Sequence, residues 1–267
     1  MDVGLIAALL VLGAATGFAA GLLGIGGGML MVPFLTMLFD ATGFPPAQVV
    51  KVAIATSLAT ILFTSLSSVR AHARRGAVRW DIAKTLAPGI VLGSLLGAQV
   101  TAALRGDVVA IGFGAFVALM ATQMLVARAA HPHRVLPGPA ARFGMGTAIG
   151  TASALVGAGG GFITVPFLTR CNVRIHEAVA TSAACGFPIA LAGTAGYVYA
   201  GWGLSLPDGT LGYVNLPALA AIVVASVLTA PLGAKVAHAM DVRALRKLFA
   251  MLLYVLAVYM LWKGLAL

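Results

Sequence analysis

The feature that most constrains this chain is a run of glycines that occurs twice inside apolar sequence. Residues 17–35 (GFAAGLLGIGGGMLMVPFL) and 150–168 (GTASALVGAGGGFITVPFL) are identical at 11 of 19 positions at an offset of 133. Further on, Ala55-Thr56-Ser57 answers to Ala180-Thr181-Ser182, and Gly97-Ala98 to Gly233-Ala234. The chain is therefore a tandem duplication. Residues 1–127 make the first copy, 128–142 a hydrophilic linker carrying Arg128, His131, His133, Arg134 and Arg142, and 143–267 the second copy. Each triplet, Gly26 to Gly28 and Gly159 to Gly161, works against a continuous helix, since an interior glycine costs roughly 1 kcal/mol relative to alanine. The chain is expected to unwind at both places and leave a helical piece on either side.

The solvent around these helices is a bilayer. Only 9% of the 267 residues are charged and 61% are hydrophobic, whereas a soluble domain carries about 25% charged residues to cover its surface. The net charge of +10 would suggest nucleic acid in a soluble protein, but no polar surface exists on which to build a basic groove. Segments 47–69, 81–104, 108–127, 176–200, 213–236 and 246–265 each approach the roughly 20 apolar residues that a span requires. Asp2 stands where a secretory signal has basic residues, so the N-terminal run is expected to be a retained membrane segment. The expected fold is an all-α polytopic membrane protein of two repeats, each a glycine-broken helix pair followed by three full spans.

The basic residues decide how the repeats are oriented, because short cytoplasmic loops collect Lys and Arg. If each glycine-broken stretch enters and leaves on one side, the second half is inverted. Fourteen basic residues then lie inside, and only Lys51, Arg105 and Lys263 outside. If each broken stretch crosses once, the halves are parallel and the division is nine to eight. The inverted arrangement is the one expected. It places Asp40 and Asp208 in outer turns and both termini on the side away from the cytoplasm. Inverted repeats with discontinuous helices at matching positions are a recurrent build of secondary transporters.

Irregular backbone at membrane depth is tolerated only when buried in protein or lining a watery cavity. Successive free N–H groups at a helix start make a concavity suited to anions. Gly26, Gly27, Gly28, Gly159, Gly160 and Gly161 are therefore expected to bind substrate; close helix packing is the competing role for small residues. Thr56, Ser57, Thr181 and Ser182 lie at matching places in the following spans. They could offer hydroxyls to an oxyanion, or bond helix carbonyls as Ser and Thr commonly do. Pro33 and Pro166 either kink the second helical piece or sit in its first turn. Lys51 and His176 are equivalent at an offset of 125; they either draw an anion to the two mouths or snorkel to the interface. Glu177 is a proton carrier or the partner of Arg174. Tyr197, Tyr199, Trp202 and Trp262 are expected in the interfacial aromatic belt. Cys171 and Cys185 are read as buried small residues, and His131 and His133 lack the further ligands a metal site needs. No cofactor and no enzymatic activity are expected, since hydrolase, zinc-protease and Walker motifs are absent.

The glycine motifs, Leu22-Leu23-Gly24-Ile25-Gly26-Gly27-Gly28 with Val32-Pro33, and Val156-Gly157-Ala158-Gly159-Gly160-Gly161 with Val165-Pro166, each followed by Ala-Thr-Ser, resemble those of the TauE/SafE sulfite exporter family. The resemblance covers nearly the whole chain. It implies a multi-pass transporter that exports a small anion, either sulfite, sulfoacetate or a related organosulfonate, from the cytoplasm. Alternatives are a permease for another small anion or for a metal cation, or a membrane sensor or scaffold without cargo. The lack of an unpaired carboxylate deep in any span counts against the cation.

Overall fold

In the computed structural model, the backbone of residues 3–23, 28–126, 136–237 and 242–267 is described. Gly26, Gly27, His131 and His133 lie outside these residues, as do the side chains of 233–246. The first copy comprises α1 (Val3–Leu23), α2 (Gly28–Ala41), α3 (Pro46–Arg74), α4 (Trp80–Ala103) and α5 (Gly106–Val126). The second comprises α6 (Pro139–Val156), α7 (Gly161–Arg170), α8 (Ile175–Ala200), a hairpin of β1 (Thr210–Leu211) and β2 (Val214–Asn215), α9 (Leu216–Ala237) and α10 (Val242–Ala266). Among the described residues, α3, α4, α5, α8 and Lys247–Ala266 of α10 are long and apolar enough to cross a membrane. α9 coincides with the remaining expected span, 213–236. α7 has 10 residues, about 15 Å at 1.5 Å per residue, and cannot cross a hydrocarbon core of about 30 Å alone.

The helices sort by which surface they present. α3 is buried on all sides from Val49 to Ile61, and its apolar window is 78% buried against 39% for α5. α3 and α8 thus form the interior, which is what helices apolar all round must do. They run antiparallel, with Leu58 against Gly193 and Ser65 against Gly186. α5 and α10 are also antiparallel, with Gly114 meeting Ala257 and Gly264 meeting Asp107 and Ile111. α4 buries Leu86, Ile90, Ser94 and Ala98 on one face and exposes Leu92, Leu96 and Val100 on the other.

Two further contacts join the halves crosswise. α6 lies along α4, with Gly146 on the Leu86 carbonyl and Gly150 on that of Ile90. α1 lies along α9, with Gly13 on the Ile222 carbonyl, 2.7 Å from where a Cβ would sit, and Gly17 on Ser226. Ile222 and Ser226 are the positions equivalent to Leu86 and Ile90 at the offset of 136 that aligns Gly97 with Gly233. The small residues on α1 and α6 let the backbones touch, as in other membrane helix pairs.

One sequence expectation is revised, one alternative is resolved and one element is added. Tyr197 is fully buried rather than interfacial, and its hydroxyl donates to the Ala154 carbonyl at 2.9 Å. Tyr199, Trp202 and Trp262 are exposed. Pro33 and Pro166 are each the sixth residue of their helix, beyond the first turn, where each removes one ladder hydrogen bond. The turn after α8 contains a short hairpin that pairs Thr210 with Asn215 and Leu211 with Val214, turning through Gly212-Tyr213.

Candidate translocation site

The second glycine cluster is an unwound link between two helices. Gly157 ends α6 in the left-handed region at φ +62°, and Gly160 precedes α7 at φ +75°. A side chain is strained at either position. Both Gly157 and Ala158 send their N–H back to the Ser153 carbonyl, which closes α6. α7 begins with Ile163 and Thr164 donating to the Gly160 carbonyl at 3.1 and 2.9 Å. The amides of Gly161 and Phe162 come before the first helical bond and have no partner in the ladder.

The start of α2 meets this link. A Cβ on Gly28, the first residue of α2, would strike the Gly157 carbonyl oxygen and come within 3.2 Å of Ala158 Cα. α3 supports the junction: Ser57 Oγ donates to the Gly157 carbonyl at 3.0 Å, and Ile61 touches both Gly28 and Gly159. On the other side Gly186 of α8 lies under the Gly159 carbonyl and Ile189 covers Gly160. Gly28, Gly159, Gly160, Gly161 and Ser57 are therefore brought together, with Gly160 packed tightly and Gly159 open except toward Ile61.

Around this link are two hydroxyls that the repeat comparison could not reveal. Ser153 is 1% exposed and Thr164 is fully buried, and neither side-chain oxygen has a hydrogen-bond partner. Both adjoin Gly160: Ser153 Oγ is 3.2 Å from the place of a Cβ on Gly160, and Thr164 bonds to its carbonyl. A buried hydroxyl without a partner costs about 1–3 kcal/mol, so its presence calls for a ligand or water. At the offset of 133 their counterparts are Ala20 and Met31. A search for duplicated polar residues passes over them; the signal was polarity in one copy only.

The threonines of the Ala-Thr-Ser motifs do something else. Thr56 Oγ1 accepts the N–H of Asn215 at 3.1 Å, and Asn215 caps α9 through its own side chain, 2.9 Å from the Ala218 N–H. Thr181 Oγ1 accepts the N–H of Arg79, immediately before α4, at 3.0 Å. Each threonine thus holds the first turn of a helix from the other copy. Ser182 is 2% exposed.

Lys51 and His176 are placed differently. Lys51 is 5% exposed; its ammonium donates to the Ala102 carbonyl at 2.8 Å, in the last turn of α4, and lies 6.0 Å from the Tyr213 ring centre. A cation at a helix C-terminus complements the exposed carbonyls there. His176 is exposed. Glu177 pairs with Arg174 and lies 3.9 Å from Arg79. The hydrogen bonds from Arg79 to Asp81, at 3.0 and 2.8 Å, hold its guanidinium above the ordinary arginine value. Lys263 pairs with Asp40 at 2.7 Å, which joins the ends of α10 and α2. Among the described residues, no three metal-ligating side chains come together.

Apolar spanning helices around an opened, polar backbone link are the build of a membrane transporter. The chain belongs to the TauE/SafE sulfite exporter family, whose sequence model, Sulfite exporter TauE/SafE, matches residues 9–260. A probable membrane transporter protein of Haemophilus influenzae is 35% identical over 257 residues, covering 95% of this chain and 97% of that protein. A probable membrane transporter protein of Methanocaldococcus jannaschii is 28% identical over 268 residues, covering 95% and 94%. No solved structure matches the chain. The protein is thus a membrane transporter, and family and relatives alike speak for transport rather than catalysis.

Proposed function

We propose that the protein is a secondary transporter that exports a small sulfur-containing anion, sulfite or an organosulfonate, by alternating access between two inverted repeats. The observation that carries this reading is the pair of buried hydroxyls without partners, Ser153 and Thr164, which adjoin Gly160 where α7 begins. An oxyanion is what such donors satisfy, aided by the positive end of the helix dipole. Among the described residues no side-chain cation is paired to this link, so the anion is held by dipoles and released readily. Gly28 at the start of α2 supplies the opposing lip, and Ser57 braces it through its bond to the Gly157 carbonyl.

The inverted arrangement is supported by the antiparallel pairs α3 with α8 and α5 with α10, and by the equivalent crosswise contacts of α1 and α6. In that arrangement the membrane is the bacterial inner membrane and both termini are periplasmic. The Thr56–Asn215 bond lies toward the outer side and the Thr181–Arg79 bond toward the inner side. Rocking of the repeats would break one while the other holds. Pro33 and Pro166 weaken α2 and α7 where they would bend, and His176 attracts anions at the inner mouth. An inside-negative potential favours outward anion movement by about 2.3 kcal/mol per charge per 100 mV, so no coupled ion is needed. In proteoliposomes, sulfite or sulfoacetate efflux should rise with an imposed potential and fall at least tenfold in a Ser153→Ala/Thr164→Val double variant. Flux of neither anion in the intact protein, or full flux in the double variant, would reject the proposal.

A further inference from the structure

A second feature lies where the C-terminal half of α3 parts from α9. A groove of about 510 Å³ opens there between Phe63, Leu66, Val223 and Val227, with Arg70 and Arg74 at one end. Its volume falls within the roughly 300–1,000 Å³ of ordinary ligand clefts. Phe63 is 46% exposed and Val227 40% exposed, so the apolar part faces sideways toward the hydrocarbon. Phe63, Ser67, Arg70 and Arg74 recur at three- and four-residue intervals and therefore share one helix face.

The two arginines set this groove apart from ordinary lipid-facing surface. They are one turn apart at the end of a span, and among the described residues neither forms an ion pair with a carboxylate, whereas Arg79, Arg105 and Arg174 each do. Guanidinium groups present paired donors that match phosphate geometry. Basic pockets between membrane helices suit anionic headgroups, and acyl chains suit apolar clefts. We infer that this groove binds one anionic glycerophospholipid, its phosphate on Arg70 and Arg74 and an acyl chain along Phe63, Leu66, Val223 and Val227. Ser67 at the groove wall supplies a further hydroxyl donor. Because α3 and α9 come from different copies, the lipid would bridge the two halves at that end of the bundle.

The test is lipid titration of the detergent-purified full chain, read by native mass spectrometry and by thermal unfolding. Phosphatidylglycerol should give a retained single adduct and raise the unfolding temperature, while phosphatidylcholine should do neither. Losing one arginine should weaken binding about fivefold, and Arg70→Gln/Arg74→Gln roughly twenty- to thirtyfold. Arg75→Gln, outside the groove, should bind as the parent does. Val227→Trp, which fills the cleft and keeps both charges, should also lose the adduct; this variant guards against misfolding of the charge variant. Equal binding of the two lipids, retention by both the double and the Val227→Trp variants, or equal stabilisation by inorganic phosphate alone would overturn the assignment.

Discussion

The seam between α4 and α6 allows a sharp test of the packing argument through Gly93→Ala. Gly89, Gly93 and Gly97 form one stripe on α4, and α6 answers with Gly146 and Gly150. A Cβ on Gly93 would strike the Thr147 carbonyl oxygen and sit 2.8 Å from its carbon and 2.9 Å from Thr147 Cα. All three atoms are backbone and none can turn aside, so the helices must move apart by about an ångström, an overpacking that costs roughly 1–3 kcal/mol. The same shift stretches the bonds from Thr151 Oγ1 to the Gly93 carbonyl, 3.1 Å, and from Ser94 Oγ to the Gly150 carbonyl, 3.4 Å. Interhelical bonds in membranes contribute about 0.6 kcal/mol each, which brings the expected loss to roughly 2–4 kcal/mol. Gly112→Ala is the control: it lies within α5 with nothing within 4 Å of the added carbon, and should change stability by no more than about 0.5 kcal/mol. Equilibrium unfolding in mixed detergent micelles, followed by circular dichroism, compares the two. If they unfold together, close backbone approach is not what joins the halves.

Three other substitutions probe the remaining contacts. Thr181→Val keeps the shape but leaves the Arg79 N–H without an acceptor, and should destabilise the protein by about 1–3 kcal/mol and speed hydrogen exchange at Arg79; unchanged exchange would refute the contact. Lys51→Met should cost about 1.5–3 kcal/mol, the worth of a hydrogen bond to a charged group, from loss of its bond to Ala102. If Lys51 served only to attract anions, flux would fall while stability stayed the same. Asp40→Ala should cost less than about 1 kcal/mol, because Asp40 is 40% exposed in its pair with Lys263. That difference should vanish in high salt, and a salt-independent loss would contradict a surface ion pair.

Much of the architecture was readable from residue order alone. Leucine, valine and alanine runs mark the spans because any long helix this poor in charge must avoid water. The position of the unwound link between α6 and α7 follows from Gly157 and Gly160, whose backbone angles other residues rarely adopt. What residue order could not supply was depth and facing. Tyr197 reads as an interfacial aromatic beside Tyr199 and Trp202, yet its neighbours on α6 enclose it and the Ala154 carbonyl takes its hydroxyl. Lys51 reads as a mouth residue until the end of α4 is seen to sit over it.

By itself the amino-acid order determined a bilayer-embedded helical transporter with a repeated glycine motif, because charge scarcity and backbone cost act locally and need no knowledge of neighbours. Tertiary packing alone decided which hydroxyls are occupied. Thr56, Ser57 and Thr181 are engaged by backbone groups more than ninety residues away in sequence, while Ser153 and Thr164 are left unpaired beside the α7 start. Hydrogen-bond satisfaction depends on contacts between distant segments, and those contacts exist only after the two copies have closed on each other.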